Sequence, residues 1–165
     1  MRRTSEQVER GLTRRTADQV ERGKRGKFAE KEVLDFLARW NTSNAHFAFE
    51  KLADARAARG AIKAQISDFI LQLGGRENPR FIILEVKETT HHFRIAKDKL
   101  AQLPRIRKWY HAGAEGVMLI YHRGLQGWRV VDLSTLELGV PSWDLRRYDL
   151  FDNAEGALNA YLGQV

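Results

Sequence analysis

Apolar and polar positions alternate along this 165-residue chain in patterns that change period several times. Between Ala29 and Trp40, Val33, Leu34, Leu37 and Trp40 share one face at about 100° per residue, which predicts a helix. Glu30 falls on that face one turn earlier, while Lys31, Glu32, Asp35 and Arg39 point elsewhere. An acid on an apolar stripe is an anomaly. Glu32 is not, and its replacement by Gln is expected to be close to neutral. "HFAFEKL" (46–52) fits a short strand, and "ADARAARGAIKAQ" (53–65) fits either a helical turn or a mobile excursion. Two strands follow, about Asp68–Leu73 and Phe81–Lys87, joined by the turn "GGRENP". Residues 95–112 read as a second helix with Ile95, Leu100, Leu103, Ile106 and Tyr110 roughly on one side, and Pro104 starts or kinks a segment within it. "GVMLIYH" (116–122) is continuously apolar, as a strand covered on both faces would be. "GWRVVDL" (127–133) pairs with it across "RGLQG", and about Asn153–Leu162 forms a last short helix. The order helix, strands, helix, strands, helix predicts an α/β or α+β layer fold around a mixed sheet flanked by helices.

The hairpin breaks its own pattern. Asp68 stands near the start of its first strand, and Glu85 and Lys87 stand two residues apart near the end of its second. Positions i and i+2 of a strand share a face, so Glu85 and Lys87 point one way while Leu84 and Val86 point the other. Pairing of the two strands brings Asp68 within reach of the Glu85 face. Two neighbouring carboxylates resist joint ionisation unless a cation lies between them. A hard divalent ion such as Mg²⁺ prefers such an oxygen set and lowers the pKa of a water it holds. Asp68, Glu85 and Glu30 are therefore the candidate metal ligands. Lys87 is suited to orient that water or to offset phosphate charge.

Charge changes the picture by pointing to a partner. The formal net charge is +7. Residues 1–27 hold nine Lys/Arg against four Asp/Glu, and residues 87–108 hold seven against two. A polyanion is the matching partner. Candidate phosphate-binding residues are Arg56, Arg59 and Lys63 in the Ala-rich excursion, with Arg94, Lys97, Lys99, Arg105, Arg107 and Lys108 after the hairpin. "RRTSEQVERG" (2–11) returns as "RRTADQVERG" (14–23), too few copies for a solenoid. Residues 1–25 are expected to form a basic arm, flexible or weakly helical, ahead of a single domain over 26–165.

Other classes drop out. The 43% hydrophobic content argues for a globular fold. Without cysteine there is no disulfide or thiolate zinc site, in keeping with a cytosolic protein. There is no apolar run of membrane-spanning length, no secretory h-region, and no P-loop, dinucleotide or G-x-S-x-G motif. His91 and His92, adjacent in an extended stretch, point apart and make a poor chelate. Trp40, Trp109, Tyr110, Tyr121 and Trp128 read mostly as core.

A helix Glu followed by Asp, a spacer and Glu-x-Lys at a strand end resembles the PD-(D/E)xK nuclease superfamily. The wording "SDF…FIILEVKET", followed by "KLAQLPRIRKWYHAGAEGVMLIY", is similar to the RecU-type Holliday junction resolvases and their phage relatives over roughly residues 26–133. The resemblance implies a restriction-endonuclease-like fold, Glu30, Asp68 and Glu85 as acids of a Mg²⁺ or Mn²⁺ site, and Lys87 as the catalytic lysine. It gives Gln102 a supporting or DNA-contacting place in the following helix. It also implies a homodimer that cuts branched DNA in recombination and repair, within a bacterial or phage-infected cell. A nicking or restriction-like nuclease, and a non-catalytic nucleic-acid-binding protein on the same fold, are the alternatives. The family's protruding stalk is not identified in this chain, although 53–65 is the place for it, and residues 1–23 and those after 134 match nothing in the family.

Overall fold

A computed structural model describes residues 17–53 and 65–163, with side chains described from Lys27 onward. Arg56, Arg59, Lys63 and the first copy of the repeat lie outside the described residues. Helix α1 (Ala17–Ser43) begins inside the stretch read as an arm and runs past residue 25. Its buried side chains are Ala29, Val33, Phe36 and Leu37, with Trp40 half-buried one turn later. This spacing of three and four residues is a helix laid along a sheet. The stripe passes through Ala29 rather than Glu30, so Glu30 flanks the apolar face. Ser43 Oγ donates to the Arg39 and Trp40 carbonyls and Asn44 N–H donates to Trp40 O at 2.9 Å, which closes the helix end.

The main sheet has the order β1-β2-β3-β5-β6. Its strands are β1 (Ala48–Lys51), β2 (Phe69–Leu73), β3 (Arg80–Thr89), β5 (Glu115–His122) and β6 (Gly127–Asp132). β1, β2 and β3 form an antiparallel meander, β3 and β5 are parallel, and β5 and β6 form the predicted hairpin. A parallel pair needs a crossover connection. Here it contains β4 (Arg94–Ala96), a 3₁₀ turn (Lys97–Leu100) and α2 (Leu103–His111). The single helix expected over 95–112 is therefore corrected. Its first residues form a strand that pairs with β7 (Ser142–Asp144) in a second, two-stranded sheet. Pro104, in the first turn of α2, starts the helix and does not kink it. Gly116 of β5 lets α2 pack closely, since a Cβ there would lie 2.9 Å from Ile106 Cγ2.

Two cores cover the sheet. On one face, Ile82, Leu84 and Val86 of β3 meet α1 and the last helix, α3 (Ala154–Gly163). On the other, Ile83 meets Leu103 and Ile106 of α2 together with Ile95, Leu100 and Trp143. Trp128 is core as expected, but Trp109 and Tyr110 are 48% and 45% exposed. α1 and α3 are also joined by polar contacts. Arg39 Nη2 and Trp40 Nε1 each donate to Glu155 at 2.9 Å, and Glu32 Oε1 accepts the Ala154 N–H at 3.2 Å. Glu32 thus caps the start of α3 through a carboxylate oxygen, an acceptor that a Gln in its place would keep.

Candidate active site

The site arises where β2 parts from β3. The two strands stay in register from Leu73↔Arg80 to Phe69↔Leu84, and β3 then continues to Thr89 beside β5 alone. The second half of β3 thus has an open edge, and a backbone N–H on that edge needs a partner. For Val86 the partner is a side chain, since its N–H donates to Asp68 Oδ2 at 2.7 Å. Asp68 replaces the missing strand and is held at the edge by doing so. The backbone alternation of a strand sends the Val86 carbonyl to the same side as its N–H.

Glu85 occupies the position after Ile83 on the α2 face, where the pattern asks for an apolar residue, and it is 0% exposed. One carboxylate oxygen accepts from Lys87 Nζ, and the other, Oε2, is buried with no partner. Burial is the largest influence on its pKa, the Asp68 charge adds to it, and Lys87 opposes both. The result is a pKa raised to about 7. Asp68 is also raised, first by burial, against the lowering effect of the Val86 N–H. Glu30 approaches from the α1 side and pushes the pKa of both acids upward. Its own close partner is Lys51, at 3.4 Å.

Glu30, Lys87 and Gln102 line one cleft of about 680 Å³ at this open edge. Ala29, Val86 and Glu88, and Asp98, Lys99, Ala101 and Arg105 beyond them, complete its walls. Asp68 and Glu85 are not in its lining but are bonded to two residues that are, Val86 and Lys87. Two alternating faces of one strand and a helix from the opposite layer thus meet around a sheet edge. The predicted residues Glu30, Asp68, Glu85 and Lys87 act on one another electrically. They do not yet form a coordination shell, because among the described residues no three His, Cys, Asp or Glu side chains are gathered closely enough to hold an ion as they stand.

The donor set nevertheless fits a hard divalent cation. It is all oxygen and carries excess negative charge, and its most buried member holds one carboxylate oxygen unpaired. Glu85 and Asp68, with Glu30 turned inward from the cleft wall, are the residues that would hold it.

Of the predicted phosphate-binding residues, Lys99 and Arg105 line the cleft. Arg94, Lys97 and Lys108 are exposed nearby in sequence. Arg107 behaves differently, since its guanidinium donates to the carbonyls of Ser134 (3.2 Å) and Leu136 and holds the 3₁₀ turn after β6. Three residues in or beside the cleft were not singled out from sequence. Glu88 is buried against Arg123 with its Oε2 unpartnered, Asp98 lines the cleft, and Lys51 pairs with Glu30. Glu88 directly follows Lys87, and its acid on a buried strand was the signal available for it. His122 is buried, its Nδ1–H donating to the His91 carbonyl at 3.0 Å, and burial depresses its pKa.

No protein-family model matches the chain, and no curated protein matches it. Among solved structures, the chain is similar to Hjc of Archaeoglobus fulgidus, a Holliday junction resolvase from an archaeal hyperthermophile. The identity is 20% and the TM-score 0.48, over 80% of this chain and 94% of that one. It is also similar to a nuclease from a fusselovirus, at 9% identity and a TM-score of 0.44, over 86% of this chain and 94% of that one. At such distances the chemistry of the cleft has to be read from its own side chains. No helix among the described residues is long and apolar enough to cross a membrane.

Proposed function

We propose that this chain is a divalent-metal-dependent endonuclease that hydrolyses phosphodiester bonds in DNA, with branched DNA, a four-way junction in particular, as its substrate. The observation that carries the reading is Glu85. It is a fully buried acid on an otherwise apolar strand, bonded on one oxygen by Lys87 and left unpaired on the other, beside Asp68. A stabilising ion pair would satisfy both oxygens, whereas this one keeps a ligand position open. When bound there, Mg²⁺ or Mn²⁺ supplies an acidified water and a counter-charge for the phosphate. Asp68 and Glu85, joined by Glu30, would hold the ion, and Asp68 is itself fixed by the Val86 N–H. Lys87, two residues from Glu85 on the same face, orients the attacking water and meets the charge that develops on the phosphate. Lys99 and Arg105 bring positive charge to the far wall of the cleft, where a DNA backbone passes.

Two matched cuts across a junction call for two sites in fixed relation, so the working form is a two-fold homodimer. The test is cleavage of a labelled four-way junction, a linear duplex and a single strand, each with Mg²⁺ and with chelator. Symmetric, Mg²⁺-dependent cuts in the junction support the full reading. Cuts of equal efficiency in the linear duplex would leave a general nuclease, and absence of any cleavage with junction binding intact would leave a binding protein.

A further inference from the structure

Lys51 is the last residue of the edge strand β1 and pairs in register with Phe69. The ladder continues one step, Leu52 N–H donating to the Asp68 carbonyl at 2.9 Å, so Lys51 is fixed one position from the metal-site aspartate. A lysine on an edge strand commonly reaches into solvent and guards the edge. This one stays part-exposed but leans back over the sheet. Its ammonium lies 5.8 Å from the centre of the Phe69 ring, which is 0% exposed, and 3.4 Å from Glu30 Oε2. It is also close enough to Asp68 to favour that carboxylate's charged form. The three acids are therefore met by two lysines from two sides, Lys87 at Glu85 and Asp68, and Lys51 at Glu30 and, more weakly, at Asp68.

Resting on the nuclease reading above, we propose that Lys51 is a positioning residue that competes with the divalent ion for Glu30. It stands in for the ion's charge in the metal-free protein and sets how much metal is needed to assemble the site. The geometry gives two reasons. Glu30 is the acid that flanks α1's apolar stripe from the cleft wall, and it has to leave Lys51 in order to join Asp68 and Glu85. The Lys51–Glu30 pair is also part-exposed, so its attraction is modest and a divalent ion can outbid it.

The experiment is Mn²⁺ titration of the full chain by calorimetry, without DNA, on wild type, Lys51→Met, Lys51→Arg, Glu30→Gln and the Lys51→Met/Glu30→Gln double variant. Circular dichroism and thermal melting establish that each is folded. Lys51→Met is expected to bind Mn²⁺ about 3- to 10-fold more tightly than wild type, the scale of one unit charge removed from a part-exposed site. Lys51→Arg, which keeps the charge, should track wild type. Most of the gain should vanish in the Glu30→Gln background, because the carboxylate being competed for is gone. In cleavage assays the Mg²⁺ concentration at half-maximal rate should fall for Lys51→Met by a similar factor. Mn²⁺ affinity of Lys51→Met equal to or weaker than wild type overturns the role of Lys51 alone. A gain of the same size with and without Glu30 likewise overturns the competition. No Mn²⁺ binding by wild type overturns the nuclease reading itself, so the two failures are distinguishable.

Discussion

β3 carries a cluster of charge at each end, and the two clusters are built on opposite rules. At its start, Arg80 meets Glu115 through two hydrogen bonds of 2.7 and 2.8 Å, Tyr161 O–H donates to the same carboxylate at 3.0 Å, and Arg80 Nη1 reaches the Leu162 carbonyl at 3.2 Å. Hydrogen bonding from Arg80 holds Glu115 below the usual carboxylate range. At its end, Glu85 and Glu88 each keep a buried oxygen without a partner, and burial raises Glu85 to about 7. The first cluster fastens α3 to the sheet. The second is a charged arrangement left incomplete, which is what the proposed metal site requires. Burial of charge does not by itself mark function, and neither does one unpaired atom, since Arg107 and Arg129 each bury an unpartnered Nε; the end of β3 differs in gathering unpartnered acid oxygens beside further acids.

The comparison breaks most sharply on activity. Lys87→Ala and Asp68→Asn should each lower junction cleavage about 10²–10³-fold while leaving junction binding intact. Gel-shift and cleavage assays on the same preparations check both halves. Asn at 68 can still accept the Val86 N–H, so Asp68→Asn should melt close to wild type. Cleavage by Lys87→Ala at the wild-type rate would make "LEVK" an ordinary strand end.

The next largest effect is in pH. Glu85 binds its proton more tightly folded than unfolded, so the folded state gains protons relative to the unfolded chain between its ordinary value of 4.5 and about 7. Metal-free stability should therefore fall as pH rises through that window, by up to about 3 kcal/mol, and Asp68 acts in the same direction. Glu85→Gln should flatten this slope and melt higher than wild type at pH 8 in chelator. Denaturant unfolding across pH gives the slope directly. Glu115 has the opposite sign, since its lowered pKa contributes stability that is lost as pH falls through its folded value, below 4.5.

Glu115→Gln should cost about 2 kcal/mol of stability, because it breaks a half-buried charge-assisted pair, and should leave cleavage at permissive temperature unchanged. Urea unfolding and a cleavage assay on that variant separate the fastened end of β3 from the end that carries the proposed site. The smallest effect is at Glu32. Glu32→Ala should cost about 1 kcal/mol by uncapping α3, seen as a lower melting temperature with no change in metal binding.

Much of this was legible in the sequence. The apolar run "FIIL" leading into "EVK" and the unbroken run "GVMLIYH" placed β3 and β5. The same pattern made Glu85 conspicuous, since a charged residue on a buried face is visible before any fold is known. What the sequence hid depends on tertiary pairing. β4 was read as helix because "RIA" is too short to declare a period, and its partner β7 lies nearly fifty residues on. Arg107 looked like any basic residue until Ser134 and Leu136 gave it carbonyls to hold. The capping role of Glu32 was hidden because its partner, the Ala154 N–H, is 122 residues away. Lys51 was invisible because only the turn of its side chain over Phe69 brings it to Glu30.

The most direct test of the unpaired Glu85 oxygen is anomalous diffraction from crystals soaked in Mn²⁺. A peak at ligand distance from Glu85 Oε2 and from Asp68, with Glu30 drawn in from Lys51 and no peak at the Arg80–Glu115 end, is the predicted result. Well-occupied Mn²⁺ elsewhere, with Glu85 still held by Lys87 alone, would contradict the account.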